Sequence, residues 1–314
     1  MRIVFMGTPE FAVPSLEALL KSDDQVVGIV TQPDRPKGRG QTLTPSPVKR
    51  IAQREQLPLL QPTKMKDPAF LAALAAWKPD LIAVAAFGRI LPPAILNLPS
   101  RGCLNVHGSL LPKYRGAGPI QWAIMNGETE TGITTMLMDE GMDTGAILLQ
   151  ERLAIVPDDT AGTLSPRLAE LGGRLLIKTI TQLKAGTLVP CQQDHSQATM
   201  APLLKKEDGV IDWTMSATTI ANRIRGLTPW PGAYTFVEED RWTIWRAVAI
   251  TEQVKDPPGT VTQVTKDAVH VATGHGVLVL TELQPANRRR MAASQYLAGH
   301  PVLAGSILGR SSHA

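Results

Sequence analysis

Three side chains in this 314-residue chain have the types and order that acyl transfer to an amine needs: Asn105, His107 and Asp143. Moving a one-carbon acyl group onto an amine passes through a tetrahedral oxyanion. A side-chain amide can donate to that oxygen, and so can an imidazole whose other nitrogen is held by a partner. A nearby carboxylate can fix the imidazole tautomer, or relay protons through water between the attacking amine and the departing nitrogen. A single Asn or His at a strand end is more often a turn former or a satisfied polar group. The run Asn105-Val-His107-Gly-Ser-Leu-Leu-Pro-Lys-Tyr-Arg-Gly116, with Asp143 in the Gly-rich stretch 139–145, outweighs that reading and makes the three the catalytic candidates.

The elements that position them can be read from periodicity. Asn105 and His107 are two apart, so an extended strand points both to one face. Gly102–Val106 reads as that strand, and its C-terminal end is where open α/β sheets place ligands. Asp143 follows a second strand-like run, Gly132–Met138, so only the fold can bring it to the pair. Upstream, strand signals at Arg2–Gly7, Gln25–Thr31 and Asp80–Ala86 alternate with helix signals at Pro9–Lys21, Pro47–Glu55 and Asp67–Trp77. Gly118–Asn126 reads as a further helix, and Thr160–Lys184 as a long closing one in which Pro166 predicts a start or a kink. This alternation predicts an α/β class with a Rossmann-like, doubly wound parallel sheet. The first turn, Gly7-Thr8-Pro9-Glu10, is not G-x-G-x-x-G, so it does not indicate a nicotinamide cofactor.

The expected division is a catalytic domain over 1–189, a linker over 190–208 and a second domain over 209–314. Gly186–Glu207 mixes proline, glutamine and short polar residues with little periodicity. Beyond it, Trp242–Ile250, Gly259–Val264, Ala268–Ala272 and Gly276–Thr281 are short β-rich runs, with one helix signal at Ser216–Arg225. Such runs suggest a small β-barrel, though pattern alone does not separate a barrel from a sandwich.

Two cysteines, Cys103 and Cys191, suit a reducing cytoplasm, and no zinc-ligand spacing joins them to the six histidines. No metal is expected. The start of the chain lacks a signal-peptide pattern, and no apolar run approaches the roughly 20 residues that span a bilayer. A cytoplasmic protein with no membrane partner and no obligate protein partner is the expectation. The net charge is +4, spread as +2 over residues 1–204 (20 basic, 18 acidic) and +2 over 205–314 (12 basic, 10 acidic). Any nucleic-acid footprint must therefore come from local clusters.

Several long strings carry a resemblance. They are Arg2-Ile-Val-Phe-Met-Gly-Thr-Pro-Glu-Phe11, Thr31-Gln-Pro-Asp-Arg-Pro-Lys-Gly-Arg-Gly40, the block 105–116, Thr160-Ala-Gly-Thr-Leu164, Leu204-Lys-Lys-Glu-Asp-Gly209 and Arg225-Gly-Leu-Thr-Pro-Trp-Pro-Gly232. On these the chain resembles, almost end to end, the folate-dependent formyltransferases, and among them those acting on charged initiator tRNA. The resemblance implies transfer of a formyl group from 10-formyltetrahydrofolate to the free α-amino group of methionyl initiator tRNA, for translation initiation. It also implies that Asn105, His107 and Asp143 are catalytic and that the second domain is an oligonucleotide-binding-like (OB-like) barrel that binds tRNA.

A pterin needs an apolar slot with polar contacts, so Ser109, Leu110, Leu111 and Pro112 are the donor-binding candidates, with 87–91 and 139–144 completing the pocket. The basic stretch Asp34–Gly40 inserts Arg35, Lys37 and Arg39 after a strand; a solvated loop is the default reading, and the resemblance implies contact with the acceptor end of tRNA. Lys205, Lys206, Arg223, Arg225, Arg288, Arg289 and Arg290 are candidate phosphate contacts, and Trp230, Trp242 and Trp245 can stack on bases or pack inside. The rivals are a formyltransferase for a purine-pathway amine or an amino-sugar nucleotide, a non-catalytic RNA- or folate-binding module, and a nicotinamide dehydrogenase.

Overall fold

The computed structural model describes residues 1–37, 42–238, 240–252 and 254–309, and of Lys37 the backbone alone. Two compact units emerge, and neither is continuous in sequence: one comprises 1–119, 130–154 and 165–202, the other 120–129, 155–164 and 203 onward.

The first unit is built on strands β1 (Arg2–Gly7), β2 (Gln25–Val30), β3 (Arg35–Lys37), β4 (Thr42–Thr44), β5 (Leu59–Leu60), β6 (Leu81–Ala85), β7 (Cys103–His107), β8 (Glu130–Leu137) and β9 (Ile147–Ala154). Its helices are α1 (Val13–Leu20), α2 (Pro47–Arg54), α3 (Pro68–Ala76) and α4 (Pro93–Leu96). Two further helices, α5 (Pro119–Met125) and α6 (Ala161–Ala185), run across the division between units. Side-chain caps open two of these helices, Ser46 accepting from Lys49 N in α2 and Asp67 from Ala69 N in α3.

One sheet runs β5-β2-β1-β6-β7-β8-β9. From β5 to β7 the pairing is parallel, with β1 and β6 side by side at the point where the chain reverses its direction of winding. β1, β2 and β6 are nearly continuous apolar runs, as strands covered on both faces must be. The parallel expectation fails at one edge, because β8 is antiparallel to β7 and β9 antiparallel to β8. The cause is local. The loop 138–146 is too short for a parallel crossover, so β9 returns antiparallel to β8. Pro166 does not start α6, which begins one turn earlier at Ala161 and carries the proline in its interior.

The second unit adds α7 (Ala217–Gly226), β10 (Ala233–Val237), β11 (Asp240–Ile250), β12 (Val261–Val264), β13 (Val269–Ala272), β14 (Val277–Pro285), β15 (Met291–Ala292) and α8 (Ala293–Leu297). Its strands pair antiparallel in the order β10-β11-β14-β13-β12, with β15 on β14. Residues 305–309 close this sheet into the expected barrel. Leu308 bridges Val237 at the end of β10, and Ile307 bridges Thr260 beside β12. Inward residues Trp242, Ile244, Val261, Val271 and Leu280 meet Ile220 and Ile224 of α7. Met125 of α5 belongs to the same core, and Gly226 permits the approach, since a Cβ there would lie 2.8 Å from Gln121 O.

Candidate active site

β7 places Asn105 and His107 on one face at the carboxyl end of the sheet, as their spacing requires. His107 is buried and Asn105 half-buried. Asp143 arrives from the loop between β8 and β9, at φ 54°, a left-handed conformation that Asp tolerates better than most residues. Its carboxylate reaches both partners. Oδ1 lies 3.4 Å from Asn105 Nδ2, and Oδ2 lies 3.7 Å from His107 Nδ1. Oδ2 also accepts from Gly116 N at 2.8 Å, which fixes the carboxylate in place. Gly116 itself is at φ 116°, and a Cβ there would sit 2.7 Å from Ala201 O, so only glycine suits this turn.

The tautomer of His107 is set by a backbone group and not by Asp143. Nε2 stands 2.9 Å from the carbonyl oxygen of Tyr114. A carbonyl only accepts, so Nε2 carries the hydrogen and Nδ1 faces the carboxylate. That arrangement leaves Nδ1 able to take a proton and hold it beside an anion. Asn105 spends one amide hydrogen on the long contact to Asp143 and retains a second. The site therefore presents a hydrogen-bond donor and a two-group proton acceptor within a few ångströms of each other.

The adjoining turn is braced from below. Thr134 of β8 donates to Ser109 O (2.7 Å) and accepts from Leu111 N (3.1 Å), while Gln150 of β9 donates to Leu111 O (2.8 Å) and Thr134 Oγ1 (2.9 Å). Ser109, expected to offer a polar contact, is fully buried and gives its hydroxyl hydrogen to Lys113 O at 2.6 Å. Leu111 is buried as well, which leaves Leu110 and Pro112 as the half-buried members of the wall. Two residues before Asn105 on β7, Cys103 is enclosed, and burial pushes its thiol up to about 12.

Residues 1–180 match the family model described as formyl transferase, and residues 203–301 match that of formyl transferase, C-terminal domain. The chain belongs to the formyl transferase family. Within that family it is 53% identical over 308 residues to the methionyl-tRNA formyltransferase of Desulfotalea psychrophila, covering 98% of this chain and 95% of that one. It is 51% identical over 307 residues to the enzyme of the same name from Trichlorobacter lovleyi, covering 98% and 96%. Among solved structures, the N-formyltransferase of Helicobacter canadensis, in complex with folinic acid and dTDP-3-aminofucose, shares the fold. It superposes with a TM-score of 0.65 at 18% identity, covering 93% of this chain and 100% of that one. Among the described residues no helix is long and apolar enough to cross a membrane.

The remaining candidates of this formyl transferase fall at several places. Arg35 and Lys37 lie on β3, a short arm paired antiparallel with β4, so this part of the basic stretch is strand where a plain loop was expected. Arg35 Nη2 donates to Gln32 Oε1 at 2.7 Å, and Gln32 Nε2 donates to Phe87 O at 2.7 Å, so this arm is tied to the turn after β6. Arg39 lies outside the described residues, as do Gly38 and Gly40. In the second unit Lys205, Lys206, Arg288 and Arg289 are exposed. Arg290 is committed elsewhere: it pairs in bidentate fashion with Glu282 (2.6 Å on both arms) and lies 4.8 Å from the Trp245 ring centroid. Arg225 donates to Asp159 O and Asn222 Oδ1, and Arg223 to Asp208 O, so both serve the fold. Trp242 is wholly buried; Trp230 is half exposed.

Sequence reasoning missed Arg115, Gln193, Thr134 and Gln150. The region assigned as a linker holds Gln193 at 5% exposure and pairs Cys191 with Ile147 and Met200 with Arg115, so its first part belongs to the first unit. Its lack of periodicity is that of a chain bonded as single bridges, not of a slack tether.

Proposed function

We propose that this formyl transferase moves the formyl group of 10-formyltetrahydrofolate onto the α-amino group of methionyl initiator tRNA, in the cytoplasm. The convergence of Asn105, His107 and Asp143 at the end of β7 carries this reading, together with the names of the near-full-length relatives.

The free amine titrates near 7.7–8.0, so a neutral nucleophile is available near neutral pH. Attack forms the new C–N bond and places negative charge on the formyl oxygen. The second Asn105 amide hydrogen donates to that oxygen, a contribution worth about 10²–10³ in turnover for one such donor. The amine proton passes to the His107–Asp143 pair: Nδ1 takes it while the carboxylate, held by Gly116 N, stabilises the imidazolium. Collapse breaks the bond to the folate nitrogen, which recovers a proton from the same pair, so the proton count closes. Leu110 and Pro112 flank the donor ring, and the Ser109–Pro112 turn, braced by Thr134 and Gln150, offers its shape more than its side-chain hydroxyl. Arg35, Lys37 and Arg39 on the first unit, and Lys205, Lys206, Arg288 and Arg289 on the second, meet tRNA phosphates.

Incubation with 10-formyltetrahydrofolate and charged initiator or elongator methionyl-tRNA, followed by analysis for formylmethionine, tests the activity and the choice of tRNA together. Formylation of an amino-sugar nucleotide in place of the tRNA would reject it.

A further inference from the structure

Gln193 is buried beside the loop that carries Asp143, and every polar group of its side chain is used. Nε2 donates to the carbonyls of Asp143 (2.8 Å) and Gly145 (2.7 Å). Oε1 accepts from Nε (3.1 Å) and Nη2 (2.7 Å) of Arg115, which is also buried. An amide offers two hydrogens and one oxygen with two lone pairs, so the side chain is saturated. Arg115 occupies a special place in the chain. The residue before it, Tyr114, supplies the carbonyl that holds His107, and the residue after it, Gly116, supplies the N–H that holds Asp143.

The two carbonyls that Gln193 fastens flank Thr144, directly after the left-handed Asp143. A residue in that conformation persists only where its surroundings over-determine it. Knitting the segment 191–201 to its unit does not need these side chains. Cys191 and Ile147 exchange both backbone hydrogen bonds, and Arg115 is bonded through its backbone to Thr199 and Ala201. The side-chain contacts are additional: Arg115 Nη2 also lies 3.1 Å from His195 Nδ1, and the two Gln193 amide hydrogens end on the Asp143 loop.

We propose that Arg115 and Gln193 form a buried clamp that positions the Asp143 carboxylate against His107, and that Gln193 contributes to formyl transfer through Asp143 alone. Both are positioning residues, and the proposal rests on the reading of Asn105, His107 and Asp143 as the reacting centre.

The test is a double-mutant cycle of Gln193→Met and Asp143→Ala in the full chain, with kcat and both KM values measured on 10-formyltetrahydrofolate and methionyl-tRNA. Gln193→Met should lower kcat by about 100-fold, the order expected for a misplacement of about 1 Å, with both KM values near those of the parent. In the Asp143→Ala background the same change should cost less than about threefold, because what it positions is gone. Parent-like kcat in Gln193→Met overturns the clamp, and so does a loss that multiplies undiminished on Asp143→Ala. Asp143→Ala with parent turnover would instead remove the reacting-centre reading, and the clamp with it. If Gln193→Met does not fold, Gln193→Glu takes its place in the cycle. It keeps the size and the Arg115 contact but has no hydrogens for the two carbonyls, so retained turnover in that variant equally overturns the proposal.

Discussion

At the scale of single residues, the site depends on which atoms are already engaged. His107 gives its Nε2 hydrogen to a carbonyl, so only Nδ1 is left for chemistry. Asn105→Ala, His107→Ala and Asp143→Ala are each expected to lower kcat by about 10²–10³, with tRNA affinity and melting temperature near the parent. Single-turnover formylation and a filter-binding assay separate the two effects. Because the three act as a unit, the double variants should lose less than the product of the single losses. The cysteines give a second check. Burial holds the Cys103 thiol at about 12, whereas Cys191 is exposed. A thiol reagent at pH 8 should therefore modify Cys191 alone in the native chain and both residues in denaturant. Asn105 and His107 were legible because a spacing of two fixes a common face. The Tyr114 carbonyl and the Gly116 amide were not, since backbone groups carry no residue-type signature, and Gln193 pointed nowhere without its neighbours.

At the scale of elements, two basic segments differ in how free their cations are. The β3 arm carries Arg35, which is exposed, and the backbone of Lys37. Replacing Arg35, Lys37 and Arg39 together by Ala is expected to lower kcat/KM for methionyl-tRNA at least tenfold and to leave folate affinity intact. Unchanged efficiency would mean a merely solvated arm. In the β14–β15 turn, Arg288 and Arg289 should each contribute about one unit to the slope of log K against log salt, and Arg290 much less, because Glu282 already neutralises it. The Arg290 guanidinium holds the Glu282 carboxyl below its ordinary value. A depressed carboxyl adds stability above its unfolded value, about 4.3, and that gain fades as pH falls through the lower folded value. Glu282→Gln should thus lower the melting temperature at pH 7 and leave it unchanged in strong acid. Strand and helix positions were largely legible from alternating periodicities. The antiparallel β8–β9 edge was not, because alternating periodicity does not state the direction in which neighbouring strands pair.

At the scale of the whole molecule, the units interleave in sequence. Expected boundaries at 189 and 208 follow composition, while the contacts assign 120–129 and 155–164 to the unit that ends the chain. A fragment of residues 1–202 would leave Met125 and Trp122 without the core they pack in. It should melt well below the full chain and bind a hydrophobic dye. A melting temperature within about 2 °C of the parent would show that those segments find other cover.

During synthesis the same interleaving becomes a matter of timing. Met125 leaves the ribosome 79 residues ahead of Leu204, among the earliest of its late core partners, and at roughly 5–20 residues per second that is a wait of about 4–16 s. Throughout it, one turn of apolar helix stands uncovered on a nascent chain whose parallel strands have already emerged. Chains stalled after residue 202 should be cut by protease near Trp122, and chains released at full length should resist.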